Sequence, residues 1–350
     1  MKKVLFASTA LIATASVAAA DVKFSGYGRF GIGYVEDRSY SATAVTTTVS
    51  GATTTITATV DSPDTILISR FRLNIDGTAE TDGGVEFSAR VRLQADENAA
   101  TGEANSAGLN GARFSAIYGG LRVDVGNVAG SFDNLANYYG NEPGLEFFIG
   151  QYAAVDYDFL AYSSTGSGSN AVFFQYAVGD FAFGASYDQR DAVSVTLSTG
   201  GTPVATGSVE STDRWDISAT YTFGNITAAL AYGQSDVAGG GDTESLTVLT
   251  LGGDFGDLNA TLFVADDDVN NSAQNGTAYG LSLAYNVGAA TTITAAYGDG
   301  SGDGDTQNYG VGFIHDLGGG VSLKGGLGNI KAGDNADSRL RADFGVNFNF

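Results

Sequence analysis

Ser69 to Leu93 reads SRFRLNIDGTAETDGGVEFSARVRL and contains two runs whose residues change character at every step. In the first, Phe71, Leu73 and Ile75 alternate with Arg70, Arg72, Asn74 and Asp76. In the second, Val85, Phe87, Ala89, Val91 and Leu93 alternate with Glu86, Ser88, Arg90, Arg92 and Gln94. Successive side chains of a β-strand leave opposite sides of the backbone, so a period of two predicts strands with one apolar and one polar face. The stretch centred on Thr78–Asp82 predicts a short turn between them, hence an antiparallel hairpin. Strands of this length exceed the five or six residues usual in globular sheets. They match the roughly 9–11 residues with which a tilted strand crosses a bilayer.

The same alternation extends to both ends of the chain. Val22, Phe24, Phe30, Ile32 and Tyr34 oppose Lys23, Ser25 and Arg29, and Leu340, Ala342, Phe344, Val346, Phe348 and Phe350 oppose Arg341, Asp343, Asn347 and Asn349. Further short turns are predicted at Gly119, Gly179, Gly224, Phe255–Gly256, Gly288 and Gly318. Longer polar links fall at 36–64, 96–108, 128–169, 191–211, 236–243, 267–274, 300–305 and 331–338. Seven short turns alternating with eight long links give about sixteen antiparallel strands, an even number as a closed barrel requires. Pro63, Pro143 and Pro203 all fall in the long links, where no ladder hydrogen bond is lost.

Composition narrows the function classes. The chain has 350 residues with no Cys and one His, which excludes disulfides, thiolate metal sites and multi-His centres. A formal charge of -22 argues against a nucleic-acid partner, since phosphates require a basic face. Lys2 and Lys3, the apolar stretch Val4–Val17 and the small residues Ala18 and Ala20 make residues 1–20 a secretory signal peptide. The remaining 21–350 reads as one domain; without Lys2 and Lys3 its 17 basic residues become 15 against 39 acidic ones, hence -24.

A soluble sandwich also alternates, so the two faces must be assigned to solvents. Tyr34, Tyr118, Tyr187, Trp215, Tyr221, Phe223, Tyr232, Tyr285, Tyr297 and Phe350 recur near strand ends on the apolar parity, as the aromatic girdles of a membrane barrel do. Arg29, Arg70, Arg72, Arg90, Arg92, Arg113 and Arg122 all take the polar parity of the first five strands, and Arg214, Lys324 and Arg341 follow the same rule. Basic residues at the midplane of the lipid face cost about 2–4 kcal/mol, a cost that placement in a lumen avoids. The reading is an all-β transmembrane antiparallel barrel. Its seven arginines serve lumen solubility or, more specifically, form a positive stripe on one wall.

With Ser69–Leu93, the segments Tyr221-Thr-Phe-Gly-Asn225, Ala278-Tyr-Gly-Leu281, Tyr309–Gly326 (YGVGFIHDLGGGVSLKGG) and the terminal Phe350 resemble the hairpins and C-terminus of Gram-negative general porins, particularly those of alphaproteobacteria. The resemblance covers essentially all of 21–350 as a pattern. It implies a homotrimer of sixteen-stranded barrels in the outer membrane, passing small hydrophilic solutes and ions passively and without catalysis or a required cofactor. It implies that the third long loop, 128–169, folds into the lumen and turns Asp133, Glu142, Glu146, Asp156 and Asp158 toward the arginine cluster. It further implies that Phe350 is the signal read by the outer-membrane assembly machinery, and that lipopolysaccharide is a neighbour. A structural barrel or adhesin with a closed lumen is the alternative, mildly favoured by the Thr-rich link at 36–64.

Other signals are weaker. Gly26-Tyr-Gly28-Arg-Phe-Gly31 fits a dinucleotide fingerprint but lacks the preceding strand and following helix that the motif needs. Asp299, Asp303 and Asp305 begin like an EF-hand loop, yet its twelfth position is Gly310. Weak calcium or magnesium binding is considered there and at Asp266, Asp267 and Asp268, against the plainer reading of solvated acidic loops; sharing divalent cations with lipopolysaccharide is a separate hypothesis for the same loops. His315 lies on the apolar parity and reads as an interfacial side chain, which makes a Ser–His esterase a poor second hypothesis.

Overall fold

The structure is a computed structural model and describes residues 21–49, 52–98, 102–190, 193–199, 202–209, 212–236 and 242–350. The signal peptide assigned to 1–20 lies outside the described residues. Sixteen strands of six to sixteen residues form the wall, with the two-residue strand Gly108–Leu109 added beside the third of them: β1 (Asp21–Val35), β2 (Thr65–Glu80), β3 (Glu86–Asp96), β4 (Arg113–Tyr118), β5 (Leu121–Gly126), β6 (Ala171–Val178), β7 (Phe181–Arg190) and β8 (Thr212–Phe223) in the first half. The second half contributes β9 (Ile226–Ser235), β10 (Glu244–Phe255), β11 (Leu258–Asp268), β12 (Gly276–Asn286), β13 (Thr291–Gly300), β14 (Thr306–Gly318), β15 (Val321–Ala332) and β16 (Arg339–Asn349). Each pairs antiparallel with its chain neighbours, and β1 pairs with both β2 and β16, so the sheet closes without an edge. Closure satisfies every ladder within the wall, the condition for crossing hydrocarbon with strands.

Register aligns the faces as the alternation requires. Ile32 lies opposite both Phe344 and Leu67, an outward apolar row across the seam. The usual burial order is inverted: large apolar residues such as Phe24, Leu67, Phe114, Leu230 and Val311 are exposed, while Ser115, Asp124, Thr250, Ser282, Asn308 and Asp343 are buried on the inner face. Exposed aromatics gather at two levels, with Tyr187, Trp215, Tyr279 and Tyr309 toward the long links and Tyr118, Tyr221, Phe255, Tyr285 and Phe350 toward the short turns. Phe350 stacks on Phe71 at 5.7 Å between ring centroids, and its backbone exchanges hydrogen bonds of 2.9 and 3.0 Å with Gly26 across the seam. His315, near the short-turn end of β14, places Nδ1 2.8 Å from Thr291 Oγ1.

The short turns fall where expected, each with a glycine at positive φ: Gly119, Gly179, Gly224, Gly256, Gly288 and Gly318. The first turn is displaced. β2 runs on through Glu80, and the chain reverses over Thr81–Val85, where Val85 N donates to Thr81 Oγ1 at 3.1 Å. Two long links are themselves antiparallel hairpins, Ser39–Val49 with Ala52–Asp61 and Val193–Thr199 with Thr202–Val209. Pro203 therefore lies in a strand and not in a loop. It sits opposite Ser198 beside an irregularity in a two-stranded ladder, where one edge of each strand is free and a missing donor is tolerated.

Candidate functional site

The link 127–170, between β5 and β6, is the longest in the chain and runs through the barrel interior. It is glued to the wall by apolar contact from both its halves: Phe132, Leu135, Tyr138, Ala154 and Tyr157 pack on the inward residues Ala229, Ala231, Leu246, Val248, Phe263, Ala265 and Ala278 of β9–β12. The lumen is therefore not polar all round. Here both parities are apolar, since Leu230, Leu249, Leu262 and Val264 of the same strands face outward.

Polar stitches complete the attachment. Thr250 Oγ1 donates to Ala136 O at 2.7 Å, and Ser282 Oγ accepts from Asn141 N at 2.9 Å. Asn308 Nδ2 donates to Ile149 O, and Asp267 Oδ2 accepts from Asp156 N at 2.5 Å and Tyr157 N at 3.1 Å. The tightest clasp is at the tip. The buried carboxylate of Asp343, on β16, accepts three successive backbone N–H groups, from Leu145 and Glu146 at 2.8 Å and from Phe147 at 2.9 Å. Phe148 fits beside it because the inner wall lacks side chains there. A Cβ on Gly310 would lie 2.8 Å from Phe148 Cδ1, and one on Gly326 would lie 2.6 Å from Phe148 Cε2.

The clasp sets Glu146 against the arginine wall. Arg29 and Arg70 are opposite each other in register, and both pair with Glu146 Oε1, the contact to Arg70 measuring 2.8 Å. Arg29 also donates to Leu145 O at 3.1 Å, and Arg70 pairs with Asp96. Arg90 is held by both oxygens of Asp76, and Arg122 by Asp124, which is fully buried. The returning limb of the loop covers the rest of the stripe. Ser164 Oγ accepts from Arg92 at 2.7 Å and Arg72 at 3.3 Å, and the Tyr162 ring lies 4.7 Å from Arg92 and 5.8 Å from Arg113.

Of the five loop carboxylates expected to face these arginines, Glu146 alone makes the contact among the described residues. Asp133 accepts from Tyr139 Oη at 2.5 Å and Tyr162 N at 2.9 Å, within the loop. Glu142 accepts from Tyr152 Oη at 2.5 Å, and Asp156 from Gln274 at 2.7 Å. Asp158 is 78% exposed and lies 3.6 Å from Arg214 of β8. Burial pushes the Glu146 carboxyl up, against the pull of Arg29 and Arg70, and pushes Glu142 up in the same way. Burial, reinforced by Asp305, pushes Asp156 up to about 6. Alternation points Asp343, the residue that places Glu146, inward and does not single it out further.

The acidic groups considered for calcium or magnesium do not converge. Among the described residues no group of three or more His, Cys, Asp or Glu is placed to hold an ion. Asp266, Asp267 and Asp268 are consecutive in a strand, so neighbours face opposite sides. Asp299 already accepts from Tyr297, Gln307 and Gly300, Asp305 from Gly302, and the Asp303 carbonyl from Asp334 N.

The profile of the Gram-negative porin family matches residues 7–335. The chain belongs to that family. A porin of Fuscovulum blasticum is 30% identical over 340 residues, covering 94% of this chain and 100% of the relative. A porin of Rhodobacter capsulatus is 28% identical over 312 residues, covering 81% of this chain and 93% of the relative. Among solved structures, a mutant of Rh. blastica porin matches with a TM-score of 0.70 and 28% identity, over 94% of this chain and 100% of that one. This porin is thus an integral outer-membrane protein and a general diffusion channel, in a family of channels and not of enzymes.

Proposed function

We propose that solutes are selected where the luminal loop meets the arginine wall, with Arg29, Arg70, Arg72, Arg90, Arg92, Arg113 and Arg122 as the cationic side and Glu146 as the principal loop carboxylate. The observation that carries this reading is the Asp343 clasp, which fixes Glu146 between Arg29 and Arg70. Glu142 and Asp133, on the same loop, make no ion pair with the arginine wall among the described residues and act through longer-range charge. Opposed fixed charges across a narrow lumen make a strong transverse field. A hydrated polar solute keeps its hydrogen bonds there, whereas an apolar molecule must displace oriented water. Loop position sets the size cutoff and fixed charge sets the ion preference. Passage is passive, with no chemistry on the solute.

In the same reading the working unit is a homotrimer, lipopolysaccharide surrounds the aromatic level at the long-link end, and Phe350 is presented to the assembly machinery. No cofactor is required; the acidic loops attract calcium or magnesium diffusely. Purified protein in a planar bilayer tests the proposal. Ohmic steps grouped in threes are expected, and a membrane that stays silent would refute it.

A further inference from the structure

The seven guanidiniums of the wall are not neutralised alike. Arg29 and Arg70 share Glu146, Arg70 also has Asp96, Arg90 has Asp76 and Arg122 has Asp124. Arg72, Arg92 and Arg113 have no carboxylate within ion-pair distance among the described residues. They are held by neutral groups instead. Arg72 Nε donates to Gln94 Oε1 at 2.5 Å and Arg92 Nε to Asn74 Oδ1 at 2.9 Å. The Tyr162 ring, fixed by Asn110 Nδ2 at 2.9 Å from its hydroxyl oxygen, serves Arg92 and Arg113 as a shared floor.

Arg72 and Arg92 also converge, and Arg113 is joined to Arg92 through the shared Tyr162 ring. Arg72 Nη2 and Arg92 Nη1 reach the same oxygen, Ser164 Oγ, so the two nitrogens are no more than about 6 Å apart. Two half-buried cations sharing one neutral hydroxyl are under-compensated, and each guanidinium has five N–H donors of which these contacts use two.

We propose that Arg72, Arg92 and Arg113 form a recognition subsite for small solutes carrying a phosphate group; the proposal rests on the reading of the lumen as an open aqueous channel. A phosphate presents three or four oxygens at a spacing that planar guanidiniums grasp two at a time. It can therefore take the place of Ser164 Oγ and bridge Arg72 and Arg92 at once. A monocarboxylate fills one fork only, and chloride offers no directional acceptor. The Arg29–Arg70 pair is a poorer competitor because Glu146 already occupies it and repels anions. In a mature chain of strongly negative charge, the subsite gives a repelled class of solute a local well inside the lumen.

Single-channel recording tests this, with chloride replaced stepwise by inorganic phosphate at constant ionic strength and alkaline pH. Gluconate, a bulky monocarboxylate, is the comparison. Phosphate is expected to lower the open-channel current saturably, gluconate only in proportion to its mobility. Arg72→Gln with Arg92→Gln should weaken apparent phosphate affinity by at least about tenfold, since charge-assisted contacts are lost. Ser164→Asp, which leaves every strand untouched and supplies a permanent internal anion, should do the same. A conducting porin with no saturable phosphate effect overturns the proposal alone, as does an effect that survives in Ser164→Asp. A protein that never conducts overturns the channel reading and the subsite with it.

Discussion

Replacing Asp343 by alanine should free the tip of the luminal loop while leaving the barrel closed. Three backbone N–H groups converge on that one buried carboxylate. A hydrogen bond to a charged group contributes about 1.5–3 kcal/mol. The three share one anion, and water can solvate the released N–H groups, so the expected net loss at the tip is about 3–5 kcal/mol rather than their full sum. At about 1.4 kcal/mol per factor of ten, the detached population rises on the order of a hundredfold to several thousandfold. The backbone ladder at Asp343, opposite Gly33 and Gly326, does not involve the side chain and should persist. Stitches at Ser282 and Asn308 remain, which confines the release to the segment between Asn141 and Ile149. Single-channel recordings should show a larger and noisier conductance, and liposome swelling should admit larger sugars. Asp343→Asn, which keeps one acceptor oxygen and loses the charge, should fall between parent and alanine variant. Heat-modifiable electrophoretic mobility checks that the barrel has assembled. An assembled Asp343→Ala porin with unchanged conductance, noise and size cutoff would show that the carboxylate does not hold the loop.

Glu146→Gln removes the one carboxylate between Arg29 and Arg70; a unit charge about 5 Å from a passing ion contributes about 1–3 kcal/mol between aqueous and partly screened limits, so selectivity should move several-fold toward anions. The zero-current potential under a salt gradient measures it, and no movement counts against the assignment. Neutralising Arg70, Arg72, Arg90 and Arg92 together should move the same potential the other way. Asp156 titrates near 6 in the folded loop against an ordinary value of 3.8, so the folded state holds the extra proton between those values and stability falls as pH rises through that window. Asp156→Asn should therefore melt above the parent at neutral pH and level with it at pH about 4; a constant difference across the range would exclude Asp156 as the source. If the acidic loops attract divalent cations only diffusely, chelator should lower the melting temperature modestly and excess sodium chloride should mimic it, whereas a loss that salt cannot reproduce would argue for a specific ion site.

Strand number, closure and the facing of the arginines were legible in the sequence for one reason. Alternation is dictated locally, because each residue's neighbours in the chain already determine its side of the wall. Which groups meet across the lumen is not local, and there the expectations thinned: five loop carboxylates were assigned to the arginines, and Glu146 is the one that meets them. Parity says that Asp343 points inward; it does not say that the backbone of residues 145–147 arrives there with three donors. Two features of the chain do carry that information in a form alternation ignores. Where the loop lies on the wall, alternation fails: Leu246–Leu251 reads LTVLTL, and Leu262–Ala265 reads LFVA, with no polar parity to face water. Such a strand needs an apolar cover on its inner side, and the longest link, 127–170, carries aromatics that supply it. Where the tip is clasped, inward positions of β14 and β15 are glycines at alternate residues, Gly310 and Gly312, then Gly326 and Gly328. An inward side chain at any of them would collide with loop or wall, so a period-two glycine stripe beside an inward carboxylate marks a seat for backbone. Lost alternation and alternating glycine together trace the loop's path from β9 to β16, and that path leaves β1–β5, the arginine strands, as the wall left for its tip and returning limb to meet.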